Sequence, residues 1–170
     1  MSEVVKGADV AVTQEQAAEI VEFLERYNKH FEEVVMFVKQ KNQKVLADDL
    51  VWLLDSLSEE QRLSMAGNSL EHKRLELFKS MGFDDYNSKE LLEIFPEEYQ
   101  GRFKLECTAI ENSIDTIKVI NDEIIETIEK KMDVAEEHLK KQGVAGPNFY
   151  DTAGGKVRIT DPESDIIGEM

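Results

Sequence analysis

From Thr13 onward the apolar residues Ala17, Ile20, Leu24, Tyr27, Phe31, Val34 and Val38 recur at alternating intervals of three and four. That rhythm places them on one face of an α-helix, predicted to run to about Lys44. Thr13 and Gln16 are spaced as a capping box, in which each side chain satisfies a free amide of the first turn. Phe23, Met36 and Phe37 fall off the stripe, so more than one side of this helix is expected to be covered. A second helical segment is predicted from Asp48 to Met81. Leu46, Leu50, Leu53, Leu54 and Leu57 share one face there, while Leu63, Leu70, Leu77 and Met81 lie nearly opposite. Two arrangements satisfy that pattern: a break near Ser58, which could cap a new start with Gln61, or one helix sandwiched between neighbours. Gly82 is placed to close the segment. Asn87 and Glu90 are spaced as the capping pair of a short helix, which Pro96 stops while suiting the first turn of the next.

From Pro96 to Gln142 only Gly101 interrupts the helix formers. At ~1.5 Å per residue such a helix is roughly 65–70 Å long. Its seam reads Phe103, Cys107, Ile110, Ile114, Ile117, Asn121, Ile124 and Ile128, with Asn121 the one polar member. Ile120, Ile125 and Met132 widen the apolar stripe to roughly 140° of surface, more than a narrow two-stranded seam requires. A thinner stripe of Met132, Ala135 and Leu139 continues it, and Gly143 ends it after a run of basic residues that suits the helix dipole.

The expected fold is therefore all-α: an elongated antiparallel helical bundle or coiled coil with a long C-terminal helix. Residues 1–12 read as a flexible leader, 13–142 as the helical domain and 143–170 as a flexible tail, in which "KVRIT" could pair as a short strand. With 170 residues the chain suits one domain. Its formal charge of −16 would repel a nucleic-acid backbone, and no dense basic patch offsets it. The single cysteine, Cys107, can form neither an intramolecular disulfide nor a metal cage, which points to a reducing cytoplasm. The N-terminus lacks the basic start and apolar core of a signal peptide, and no window suits a transmembrane span.

Motifs for chemistry are missing. His30, His72 and His138 are preceded at the third residue by Tyr27, Ser69 and Ala135, so the Glu-x-x-His of di-iron bundles is absent. No zinc-protease, dinucleotide or phosphate-loop motif occurs. Adjacent acids such as Glu32–Glu33, Asp48–Asp49 and Glu136–Glu137 do not share a helix face, so their spacing supports no acid–base site. No catalysis and no cofactor are expected. A rival reading takes "HLKKQG" (138–143) as similar to phosphotransfer bundles with a phospho-accepting His138. The plainer account is a C-terminal histidine answering the helix dipole.

The stretch "SLEHKRLELFKSMGF" (69–83), the long helix with "INDEIIETIEKKM", and "NFYDTAGG" directly after it resemble the FlgN family of flagellar export chaperones. The matching positions are Leu70, Glu71, Lys73, Arg74, Leu77 and Gly82; Asn121 with Ile124; and Tyr150, Asp151 and Gly154. "DDLVWLLDSL" (48–57) is similar to the family's segment between its first two helices. Together these pieces span most of residues 13–155, and their order and spacing carry the resemblance. It implies a cytoplasmic chaperone that binds the C-terminal helices of hook-associated proteins, FlgK and FlgL. It also implies docking to the export gate protein FlhA through a tyrosine beyond the long helix, here Tyr150 with Asp151. No role carries over to residues 156–170.

A client helix would lie in a groove on the long helix, burying its own apolar face. The candidate contacts are Ile117, Val119, Ile120, Asn121, Ile124, Ile125, Ile128, Met132, Ala135 and Leu139. The half of the stripe before Ile120 is expected to be core, and the part from Ile124 to Leu139 freer. Val119, on the opposite face, is a candidate second contact. Asn121 either opposes slipped registers or sits at the stripe's edge in water. Tyr150 either awaits a partner or anchors the tail to the bundle. A self-associating scaffold and a homodimer remain alternatives.

Overall fold

The computed structural model describes residues 10–143, and the chain divides into two compact units at Ile124/Ile125. Among the described residues there are five helices: α1 (Gln14–Leu46), α2 (Leu50–Asp55), α3 (Leu57–Ser80), α4 (Ser88–Ile94) and α5 (Glu97–Lys141). Among the described residues there is no strand, and no helix is long and apolar enough to cross a membrane. "KVRIT" and the rest of 144–170 lie outside the described residues, as do residues 1–9.

In the first unit, α1 starts at the predicted capping box. Thr13 Oγ1 accepts from the Gln16 amide and Gln16 Oε1 from the Thr13 amide, both at 3.1 Å. Val12, read from sequence as leader, is instead buried, and its N–H donates to the Ile94 carbonyl at 3.0 Å. The residue before the cap joins buried Ala17 in the same apolar cluster, so it staples the helix start to the core.

The chain leaves α1 through Asp48, whose φ of 55° falls in the left-handed region that Asp tolerates better than most residues. Asp49 then caps α2, accepting from the Trp52 amide at 3.0 Å while pairing with Lys44 at 2.9 Å. The break in the second segment falls at Ser56 and not at Ser58. Ser56 is buried and donates its hydroxyl to the Leu53 carbonyl at 3.0 Å, while Ser58 lies inside α3. The break separates Trp52 and Leu53, packed against the core, from buried Leu63.

Gly82 (φ 78°) closes the helical run with the expected left-handed turn, and the Phe83 amide reaches back to the Phe78 carbonyl at 2.8 Å. Asn87 and Glu90 form the predicted capping box of α4. Phe95 is extended ahead of Pro96, and its ring stacks on Phe103 at 4.4 Å.

Pairings across the helices fix their directions. Lys41–Glu60, Glu33–Arg62 and Tyr27–Glu71 descend α1 as they ascend α3, so these two run antiparallel. Glu25–Arg102, Asn28–Glu106 and Asn42–Glu123 ascend together, so the first part of α5 runs parallel to α1. At Gly67 α3 lies close to α1: a Cβ there would be 2.9 Å from His30 Nε2.

Two apolar clusters fill this unit. One gathers Val12, Ile20, Val21, Phe23, Leu24, Phe83, Leu91, Phe95, Phe103 and Ile110. The other gathers Phe37, Val38, Val45, Leu63, Ile120 and Ile124. Phe23 and Phe37 therefore bear out a second covered side of α1, whereas Met36 is exposed.

The second unit, described from Ile125 to residue 143, is the last part of α5. Glu126–Lys130 at 2.7 Å and Glu136–Lys140 at 3.3 Å stand four apart with the acid N-terminal, the favourable orientation on a helix. Gly143 (φ 76°) ends it as expected.

Candidate partner-binding surfaces

The seam read from sequence keeps strict heptad spacing, but a straight helix turns 3.6 residues per turn and drifts off that line. Along α5 the buried residues move from Phe103 and Ile110 to Ile120 and Ile124, a rotation of roughly 70° at 3.6 residues per turn. Ile120 and Ile124, 9% and 5% exposed, belong to the second core cluster and offer no surface to a client. Ile117 is half-buried beside them. Asn121 is exposed, on the edge of the buried line and not within it. Val119 is exposed as well.

The residues beyond the rotation differ. Ile125 is 55% exposed, Ile128 41% and Met132 39%. Together with exposed Ala135 and partly exposed Leu139 they fall within roughly 80° of one helix face at 3.6 residues per turn. Glu126, Lys130, Glu137 and Lys140 stand on the side of the helix away from this stripe, as an amphipathic helix requires. The distal part of α5 thus presents one continuous apolar face whose members the fold leaves open. Tyr150 and Asp151 lie outside the described residues.

Two surfaces were not singled out from sequence. The first is a groove of about 370 Å³ lined by apolar residues of α1, α3, α4 and α5, including Leu24, Phe78, Leu91, Phe103, Ile110 and Ile114. Its polar edge is a chain of bonds. Tyr27 Oη donates to Glu71 Oε2 at 2.8 Å, and Arg74 clamps the same carboxylate through Nε and Nη2 at 2.9 and 2.7 Å. Burial, aided by the bond to Glu71, pushes the Tyr27 hydroxyl up to about 12. The Arg74 guanidinium holds the Glu71 carboxyl below its ordinary value. Cys107 also lines the groove, and burial pushes its thiol up to about 11, away from the thiolate that a nucleophile needs.

The second is α2, which buries none of its residues. Leu50, Val51, Leu54 and the following Leu57 are each between 57% and 71% exposed. The signal was the apolar run "LVWLL". Only its leucines, Leu50, Leu53 and Leu54, fall on the face predicted from sequence, and nothing local says which part of the run faces water.

His138 is exposed in the last turn of α5, where the Gln142 amide nitrogen lies 3.0 Å from its Nε2. Among the described residues no group of three His, Cys, Asp or Glu side chains is arranged to hold a metal ion. Comparison with family models, with curated proteins and with solved structures finds no match for this chain.

Proposed function

We propose that this chain is a FlgN-like export chaperone. It holds the C-terminal helix of a hook-associated protein of the FlgK or FlgL kind, in the cytoplasm, against the distal face of α5. The observation that carries this reading is the open stripe Ile125, Ile128, Met132, Ala135 and Leu139 on a helix flanked by charge. An amphipathic client helix laid on it would bury both apolar faces in the helix-in-groove manner. Ile120 and Ile124 belong to the core of the first unit, so the client contacts narrow to Ile125 onward.

The positions that carry the family resemblance fit a scaffold role in the first unit. Leu70 and Leu77 pack on the core, Glu71 and Arg74 form the clamp beside Tyr27, and Gly82 makes the helix-ending turn. Delivery to an FlhA-like gate through Tyr150 and Asp151 belongs to the same proposal and rests on the resemblance alone.

The test is co-purification of the full chain with a defined hook-associated protein. The reading requires a complex that is lost when the client's C-terminal helix is deleted. A chain that forms only its own dimer, or a complex indifferent to that deletion, would replace it with the scaffold reading.

A further inference from the structure

We propose that the outer face of α2 is a second docking site, whose occupant is a cationic amphipathic helix of a partner protein. It is independent of the distal α5 face and of the chaperone reading. A six-residue helix is too short to persist alone. It is fixed by the Asp49 cap and by Trp52, whose ring lies 6.0 Å from that of Phe37, with Leu53 beside it. Held in this way it turns Leu50 and Val51 outward, four and three residues before exposed Leu54 and so each its neighbour on the helix surface, with exposed Leu57 next in the chain. Contiguous apolar surface of this kind on a chain of high charge marks an interaction site.

Charge selects the occupant. Between Val45 and Gln61 stand Asp48, Asp49, Asp55, Glu59 and Glu60, and no lysine or arginine. Lys41, Lys44 and Arg62 pair with Glu60, Asp49 and Glu59, while Asp55 pairs with no base among the described residues, so the rim stays negative. Asp55 and Glu59 edge a cavity of about 250 Å³ floored by Phe37 and Trp52, where a lysine or arginine would meet both a carboxylate and an aromatic face. A second copy would oppose this rim with the same charges, on a chain that already carries −16. An anionic lipid surface is repelled for the same reason. The chain's own residues 144–170 hold five acids (Asp151, Asp161, Glu163, Asp165, Glu169) against Lys156 and Arg158, so they too carry the wrong sign. A helix with an apolar stripe and basic flanks complements both features.

Trp52 is the only tryptophan, so its emission reports on this face. The full chain is titrated with a Leu/Lys amphipathic peptide of about 18 residues, long enough to become helical on binding, and with a Leu/Glu peptide of identical apolar positions. The expected result is that the Leu/Lys peptide shifts Trp52 emission and the Leu/Glu peptide binds at least about tenfold more weakly. Val51→Ser/Leu54→Ser weakens the Leu/Lys complex read at Trp52 at least about tenfold. Asp55→Asn weakens it less, and the loss shrinks as salt is raised. Circular dichroism confirms that the variants fold, and Leu50→Gln serves if the double variant does not. The proposal is overturned if the two peptides bind alike or if the α2 variants bind like the parent chain. It is also overturned if the chain sediments as a dimer that Val51→Ser/Leu54→Ser dissociates, or if anionic vesicles shift Trp52 emission while the peptide does not.

Discussion

Gly67→Ala separates helix propensity from tertiary crowding at the crossing of α1 and α3. In an unobstructed helix interior, replacing glycine by alanine stabilises by about 0.8–1 kcal/mol. At Gly67 the new methyl would lie 2.9 Å from Nε2 of His30, a ring that is 9% exposed and edge-on to Phe31 at 5.7 Å. The ring has little room to retreat, and inserting a methyl into packed surroundings costs about 1–3 kcal/mol. The crowding wins, and the variant loses about 1 kcal/mol, the difference between those ranges. At this chain length that lowers Tm by roughly 2–4 °C. The same substitution in a His30→Ala background meets open space and stabilises by about 1 kcal/mol. The assay is urea unfolding of the four proteins of the cycle, which yields a coupling of about 2 kcal/mol with opposite signs for Gly67→Ala in the two backgrounds. If Gly67→Ala stabilises both backgrounds equally, the close approach of α3 to His30 is wrong.

Three further outcomes follow from the same contacts. Tyr27→Phe removes the 2.8 Å bond to Glu71 and costs about 1 kcal/mol in chemical denaturation. Because the Tyr27 hydroxyl is raised from 10.0 to about 12, its contribution is whole below 10 and fades as pH climbs through 12, a decline that the Phe variant lacks. Burial lowers the His30 value, so the unfolded chain takes up the proton more readily. Its contribution is then full above about 6.5 and falls on acidification through that value, and His30→Gln flattens the stability change between about pH 7.5 and 5.5. Cys107 reacts with a thiol reagent at pH 8 far more slowly in the folded chain than in denaturant, since burial holds its thiol at about 11.

What could be read in the sequence was local. The boxes at Thr13 and Asn87 and the turn at Gly82 each close within a few residues, so residue type and spacing specify them. The break between α2 and α3 was displaced by two residues because tertiary packing of Trp52 and Leu53, not the strongest cap signal, decides where the helix turns. Asn121 was drawn into the seam by counting heptads, whereas the cylinder's own 3.6-residue turn carries the core line to Ile120 and Ile124. The clamp of Tyr27, Glu71 and Arg74 joins Tyr27 to a residue 44 positions away in the chain, a distance over which one sequence without pairing information is silent. Which leucines of "LVWLL" face water depends on the whole bundle for the same reason.

The central claim is that apolar surface on α5 beyond Ile124 is free to receive a partner's helix. It is tested most directly by calorimetric titration of the full chain with the C-terminal helical segment of a hook-associated protein at several temperatures. The account predicts binding with a negative heat-capacity change, weakened at least about tenfold by Ile125→Ser/Ile128→Ser/Met132→Ser. Binding that ignores this triple substitution, or no binding by the folded parent chain, would contradict it.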